Sequence, residues 1–260
     1  MATSCSTLPF ALLLLAITAQ AQTIRVIKFS EAQPFRMGEV TSNRLVHPGI
    51  GAKKTTLNYS VSKPGNEFAQ HVHDYSTDTI LVLEGEVNLR QGESKRLFKA
   101  GEFAFVPIGQ IHGTITAGTG EATMISFQNP PDLILYTGAR DSKRPGAAAP
   151  KGDITPGAVL YHDFVHKNGQ FTNAAMGSNL AAGSHRAMKP GAHFKTKVEK
   201  DGEGFLFVWK GAIKVKDKAG TVYIAGEKDT VFIQGAAELE VTAEGSTETH
   251  IIQVQAPALK

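Results

Sequence analysis

The chain writes the same pattern twice. Lys63-Pro64-Gly65-x-x-Phe68 returns as Lys189-Pro190-Gly191-x-x-Phe194, a spacing of 126 residues. Gly85 and Gly211 keep that spacing, and Gly101 and Gly226 keep it to within one residue. A spacing preserved over such a distance marks a duplicated structural unit. Two units of ordinary domain size fit a chain of 260 residues. Each copy reads as strand. Thr79–Leu83 and Phe103–Val106 in the first, and Phe205–Trp209, Ala212–Val215, Thr221–Ala225 and Glu248–Val254 in the second, are β-branched and aromatic runs. Glycines punctuate them, and no long run carries a period of 3.6 residues. The expectation is an all-β protein with little helix, its strand edges hidden in two closed antiparallel barrels.

The first copy also carries chemistry. Gly65, His71, His73, Asp78 and Gly85 read G-x5-H-x-H-x4-D-x6-G, and Gly101, Pro107, Gly109 and His112 read G-x5-P-x-G-x2-H. Residues two apart on a strand face the same side, so His71 and His73 can point together. Three imidazoles with one carboxylate suit a divalent first-row metal and leave positions for water or substrate. A lone histidine on a strand is more often a surface or core residue. Three at these spacings, each beside its turn glycines, point to a metal site. Asp78 either ligates directly or hydrogen-bonds a ligating imidazole.

These two motifs resemble the two signature motifs of the cupin superfamily, in which a β-barrel gathers such residues around one ion. Asp78 stands where that family usually has Glu, and Thr116 where the second motif often closes with Asn. The resemblance implies two tandem cupin-type (double-stranded β-helix, jelly-roll) barrels. It implies one divalent transition metal (Fe, Mn, Ni, Cu or Zn) held by His71, His73, Asp78 and His112. Many two-barrel cupins with this metal motif are dioxygenases, so it implies a metal-dependent enzyme acting on a small organic substrate, with quercetinase-like dioxygenation one version. Isomerase or lyase chemistry is an alternative. So is a non-catalytic cupin that binds a sugar, a small acid or a metal. Family habit also allows a homo-oligomer.

Carried onto the second copy, the ligand positions become Lys197, Glu199, Gly204 and Ala237, so that barrel is expected to be degenerate. Lys197 and Glu199 either fill the vacated cavity as an ion pair or lie exposed at the barrel mouth. Around the first site, Glu67, Gln70, Tyr75 and Thr114 flank the ligands. Glu67 and Tyr75 are the candidate acid/base groups, each weighed against a plain rim or turn role. Thr114 and Thr116 share the face of His112 if that strand is regular. His162 and His166 are four apart but sit in strand-like text, and read as structural or surface residues.

The remaining bounds are set by charge, cysteine and the N-terminus. A net charge of +3 with no dense Lys/Arg stripe disfavours nucleic acid as a partner. Leu8–Thr18 is an apolar core of signal-peptide length, too short for a membrane span, and Ala19-Gln20-Ala21 supplies a cleavage site. Residues 1–21 are expected to be removed, giving a periplasmic or secreted protein with no stable membrane insertion. Cleavage also removes the single cysteine, Cys5, so the mature chain cannot form the disulfide usual in germin-like plant cupins. A bacterial exported cupin is the better match. Residues 22–136 then form the metal-binding barrel, 137–156 an exposed linker and 157–260 the degenerate barrel. Asn58-Tyr59-Ser60 matches a glycosylation pattern but falls in a strand, where it reads as accidental.

Overall fold

The computed structural model describes residues 23–165, 170–171 and 178–258. The expected signal segment and His166 lie outside them. The first half supplies β1 (Thr23–Ile27), β2 (Gln33–Met37), β3 (Val40–Val46), β4 (Leu57–Ser62), β5 (Glu67–His71) and β6 (Thr77–Glu84). It continues with β7 (Glu86–Gln91), β8 (Ser94–Lys99), β9 (Glu102–Val106), β10 (His112–Thr116) and β11 (Ala122–Asn129). The second half supplies β12 (Leu160–Asp163), β13 (Gln170–Phe171), β14 (Ala182–Met188), β15 (His193–Val198) and β16 (Glu203–Lys210). β17 (Ala212–Asp217), β18 (Val222–Ala225), β19 (Thr230–Gln234), β20 (Ala237–Glu244) and β21 (Thr249–Ala256) complete it. Among the described residues helix is limited to single 3-10 turns at Phe29–Glu31, Pro48–Ile50 and Leu135–Thr137. The all-β expectation holds.

Four antiparallel sheets make two barrels. A seven-stranded sheet, β12-β9-β6-β11-β4-β3-β2, faces a four-stranded one, β5-β10-β7-β8. The second barrel pairs β1-β19-β16-β21-β14-β13 with β15-β20-β17-β18. Strand alternation assigns each side chain to a layer. Ile80 and Val82 of β6 point into the first barrel with Val87, Leu89, Phe98 and Val106. Leu81 and Leu83 point the other way, into a shared core with Phe127, Phe205 and Phe207. Leu206 and Val208 alternate into the second barrel with Val215, Val241 and Ile251. The two large sheets therefore pack face to face, and each barrel keeps a separate interior.

Two organisational expectations change, and the strand pairing is less local than the sequence suggests. Text such as Ile80–Leu89 and Arg96–Pro107 looks like hairpins, yet β6 and β7 lie in different sheets, as do β8 and β9. The chain crosses between sheets at Gly85, whose φ of +76° places it in the left-handed region. The hairpin is β7–β8, nested inside the longer-range pair β6–β9. The expected domain boundaries also miss an exchange. β1 pairs with β19 of the second barrel, Thr23 opposite Gln234 through Ile27 opposite Thr230. β12 pairs with β9 of the first, Leu160 opposite Phe105 through Asp163 opposite Glu102. Composition identifies a strand but not its partner, and an uncovered sheet edge accepts whichever strand reaches it. Finally, residues 137–156 are not a free spacer throughout. Asp141 caps the Gly38 amide at 3.0 Å, and the Thr155 amide donates to Gln110 at 2.9 Å.

Candidate metal centre

Three strand ends and one loop bring the four predicted ligands together. His71 closes β5 and His112 opens β10, and the two are cross-strand partners. His73 follows two residues after His71. Asp78, near the start of β6, is in phase with Ile80 and Val82 and so faces the barrel interior. All four side chains are buried. Their donor atoms lie within 4.8 Å of one another.

Hydrogen bonds fix how each imidazole is presented. His71 Nδ1 donates to the Ala69 carbonyl at 2.9 Å and His112 Nδ1 to the Gln110 carbonyl at 3.0 Å. His73 Nδ1 donates to Asp132 Oδ2 at 2.8 Å. Because these partners can only accept, the proton sits on Nδ1 in each ring, and each Nε2 lone pair is free. Those lone pairs converge. Nε2 of His71 and Nε2 of His73 are 3.1 Å apart. Asp78 Oδ2 lies 3.4 Å from His112 Nε2 and 3.6 Å from His73 Nε2. Asp78 Oδ1 is buried with no hydrogen-bond partner. Facing lone pairs and an unpartnered buried carboxylate oxygen repel or cost energy unless a cation sits between them. The donor set fits one divalent transition metal.

Burial pushes the Asp78 carboxyl up, but the adjoining imidazoles of His112 and His73 outweigh it and hold the group well below the usual carboxylate range. Burial together with the neighbouring rings of His112 and His73 keeps His71 well below its ordinary value, hence neutral and ligand-ready. Burial also lowers His73, but Asp132 and Asp78 raise it further than burial depresses it. For Asp132, burial is outweighed by the His73 hydrogen bond and charge, the Ile134 amide and Arg140, which bring it down to about 2.

A cavity of about 30 Å³ adjoins the cluster. Phe35, Phe68, Ile80, Met124 and Leu135 form its apolar wall, and Asn58, Ser60, Thr114, Ser126 and Gln128 its polar one. Thr114 thus takes the inward place expected of it, and Thr116 is buried on the same strand. Both acid/base candidates need correction. β5 carries a bulge: His112 pairs with His71, but Thr114 pairs with Phe68. The extra residue turns Phe68 inward with His71 and sends Glu67 outward. Glu67 there pairs with Arg90 and Lys143, each at 2.8 Å. Gln70 is also turned away, accepting from the Gly92 amide at 2.7 Å. Tyr75 is 80% exposed on its loop.

The residues that sequence reasoning passed over are Asp132 and Arg140. They follow β11 in a segment with no motif spacing. Arg140 Nε reaches Asp132 Oδ2 at 3.1 Å and Arg140 Nη2 reaches Asp74 Oδ2 at 2.7 Å. Asp132, not Asp78, is the carboxylate that hydrogen-bonds the far side of an imidazole. In the second copy, Lys197 and Glu199 pair at 2.7 Å with side chains 61% and 58% exposed, so they do not fill a cavity. His162 lies in strand β12 against Phe103. Asn58 is buried in β4, which closes its glycosylation pattern to modification.

The cupin domain family model matches residues 58–127, a span that contains all four clustered donors. Polyketide synthase CurC of Streptomyces cyaneus is 30% identical over 109 residues, 41% of this chain and 70% of that protein. Tetracenomycin polyketide synthase protein TcmJ of Streptomyces glaucescens is 28% identical over 135 residues, 50% of this chain and 90% of that protein. Among solved structures, oxalate decarboxylase from Bacillus subtilis superposes with a TM-score of 0.68 at 10% identity, over 90% of this chain and 77% of that one. Bacterial pirin YhhW in complex with nickel(II) from Escherichia coli gives 0.65 at 17% identity, over 91% and 100%. At such identities the structural likeness speaks to fold alone.

Proposed function

The chain belongs to the cupin superfamily, and from that premise we propose that its first barrel is the catalytic unit of a metal-dependent enzyme acting on a small oxygen-bearing molecule. One observation carries the reading: three imidazoles, each locked through Nδ1, aim Nε2 at one point beside Asp78 and next to a cavity. A divalent ion held there would act as a Lewis acid toward a substrate oxygen. The chain's own residues do the rest. Asn58, Ser60, Thr114 and Gln128 offer hydrogen bonds that orient a polar substrate, while Phe35, Phe68 and Leu135 exclude water. Asp78 lines the same cavity, and its Oδ1, without a hydrogen-bond partner, would help hold the ion beside the imidazoles.

A cavity of about 30 Å³ is small, which favours a substrate of few heavy atoms over a flavonol. Two relatives carry polyketide synthase names, and polyketides are rich in 1,3-dicarbonyl units. Small enolisable dicarbonyl compounds are therefore the substrate class we favour. Quercetinase-like dioxygenation would use the same donors and differs in consuming O₂. The test loads the mature protein with Fe, Mn, Ni, Cu or Zn in turn and follows acetylacetone and related dicarbonyls by NMR, with an oxygen electrode alongside. Turnover without O₂ uptake supports lyase or isomerase chemistry, and turnover with uptake supports the dioxygenase. Unchanged substrates with every metal would leave the non-catalytic binding reading in possession. The proposal includes export with cleavage after Ala21, checked by N-terminal sequencing of protein recovered from the periplasm or medium.

A further inference from the structure

The three imidazoles are not anchored alike. His71 and His112 each bond a carbonyl two residues back, within their own stretch of chain. His73 instead bonds Asp132, 59 residues further on. Asp132 is itself clamped. Its Oδ1 accepts the Ile134 amide at 2.9 Å, and its Oδ2 accepts Arg140 Nε at 3.1 Å. Arg140 then returns to Asp74, the residue beside His73, at 2.7 Å. The ring of contacts closes on itself: His73, Asp132, Arg140, Asp74. A second fastening lies nearby, where Asp141 caps the Gly38 amide and Lys143 pairs with Glu67 at 2.8 Å. Between Asp132 and Asp141, Leu135 lines the cavity and Tyr136 packs edge-to-face on Phe35 at 5.3 Å. Residues 130–144 thus form a strap over the cavity, hitched at one point to an imidazole of the metal centre.

We infer that Asp132, clamped by Arg140, is a positioning residue that couples occupancy of the metal centre to closure of the 130–144 strap. The inference rests on the metal reading above and goes beyond it. Asp132 keeps the proton on His73 Nδ1 and the Nε2 lone pair aimed inward. Losing such a partner weakens metal binding by about 10- to 100-fold in comparable sites. Linkage is reciprocal: an ion that favours the oriented ring also favours the docked strap, by the same factor. A lifted strap would withdraw Leu135 from the cavity wall and loosen one ligand.

The test measures Zn²⁺ affinity by competition with a chromophoric chelator, and amide hydrogen exchange over residues 133–141, for the wild-type chain, Asp132→Ala, Asp132→Asn and Arg140→Gln. Wild-type protein that takes up no Zn²⁺ overturns the metal reading and this inference with it, before any variant is compared. Given wild-type binding, Asp132→Ala should bind about 10- to 100-fold more weakly. Arg140→Gln, which touches no ligand, should weaken binding by a smaller factor, with Asp132→Asn between the two. Zn²⁺ should slow exchange across the strap in wild type and not in Asp132→Ala. Nitrogen-15 spectra should show His73 protonated at Nδ1 in wild type and as mixed tautomers in the variant. If Asp132→Ala fails to fold without metal, Asp132→Asn and Arg140→Gln carry the test. Affinities within twofold of wild type, or a strap whose exchange ignores Zn²⁺, overturn the coupling.

Discussion

In the first barrel β5 bends around a bulge, and His71 pairs with His112 while Phe68 pairs with Thr114. In the second, β15 pairs with β20 in unbroken register from His193 opposite Thr242 to Val198 opposite Ala237. Regular alternation there turns Lys197 outward, where its side chain is 61% exposed, and brings Val198 in. Val198 joins the apolar filling, and Thr196 accepts hydrogen bonds from Gln253 and Gln255. Gly204, at the place of Asp78, leaves the room that Val198 uses: a Cβ there would lie 3.3 Å from Val198 Cγ2 and 2.8 Å from the Val254 carbonyl. The second barrel therefore differs in more than four side chains. One strand's register decides which residues can look inward, and a ligand set needs both the residue types and the bulge.

The widest separation between the barrels should appear in metal content. His112→Ala should reduce bound metal from about one ion per chain to a trace. The triple replacement Lys197→His, Gly204→Asp, Ala237→His should add none, because the grafted imidazole at 197 would face solvent. Elemental analysis of dialysed protein checks both, and a second equivalent in the triple variant would break the comparison. Gly204→Asp alone should destabilise by about 2–4 kcal/mol in urea unfolding, since it overpacks against Val198 and buries an unpaired carboxylate. A neutral outcome would mean that the second interior has slack.

Acid sensitivity sharpens the contrast at a smaller scale. In the second barrel, burial and then the neighbouring His250 bring His185 down to about 4, with Glu248 opposing. A histidine depressed on folding is protonated first in the unfolded chain. Its contribution is full above pH 6.5 and is lost as pH falls from there toward about 4. His185→Gln should remove that slope, an effect of about 2 kcal/mol allowing for partial exposure. The contribution of Asp132 behaves as a depressed carboxylate should, staying intact until pH falls below the ordinary carboxylate range and fading toward about 2. Stability curves of the metal-free protein against pH separate the two windows. The smallest effect belongs to Lys197→Ala, which removes an exposed pair and should leave the melting temperature unchanged.

Much of this was legible in the residues. The spacing of His71, His73, Asp78 and His112 foretold their meeting, because turn glycines and strand period fix local direction. The duplication foretold two barrels. What escaped was non-local. Nothing in Thr23–Ile27 says that it seats against β19 rather than in its own half. Glu67 flanks the ligands in the sequence, and only the pairing with β10 reveals the bulge that turns it away. Asp132 had no spacing to betray it, since its partner His73 is 59 residues earlier.

The exchange of β1 and β12 sets an order on biosynthesis. The strands of the first barrel are all in hand once residue 163 has left the ribosome, whereas β1, made first, has no seat until residue 234 emerges. The first strand thus waits through most of synthesis for its partner, and a gene cut between the halves would give two fragments, each lacking an edge that only the other can supply.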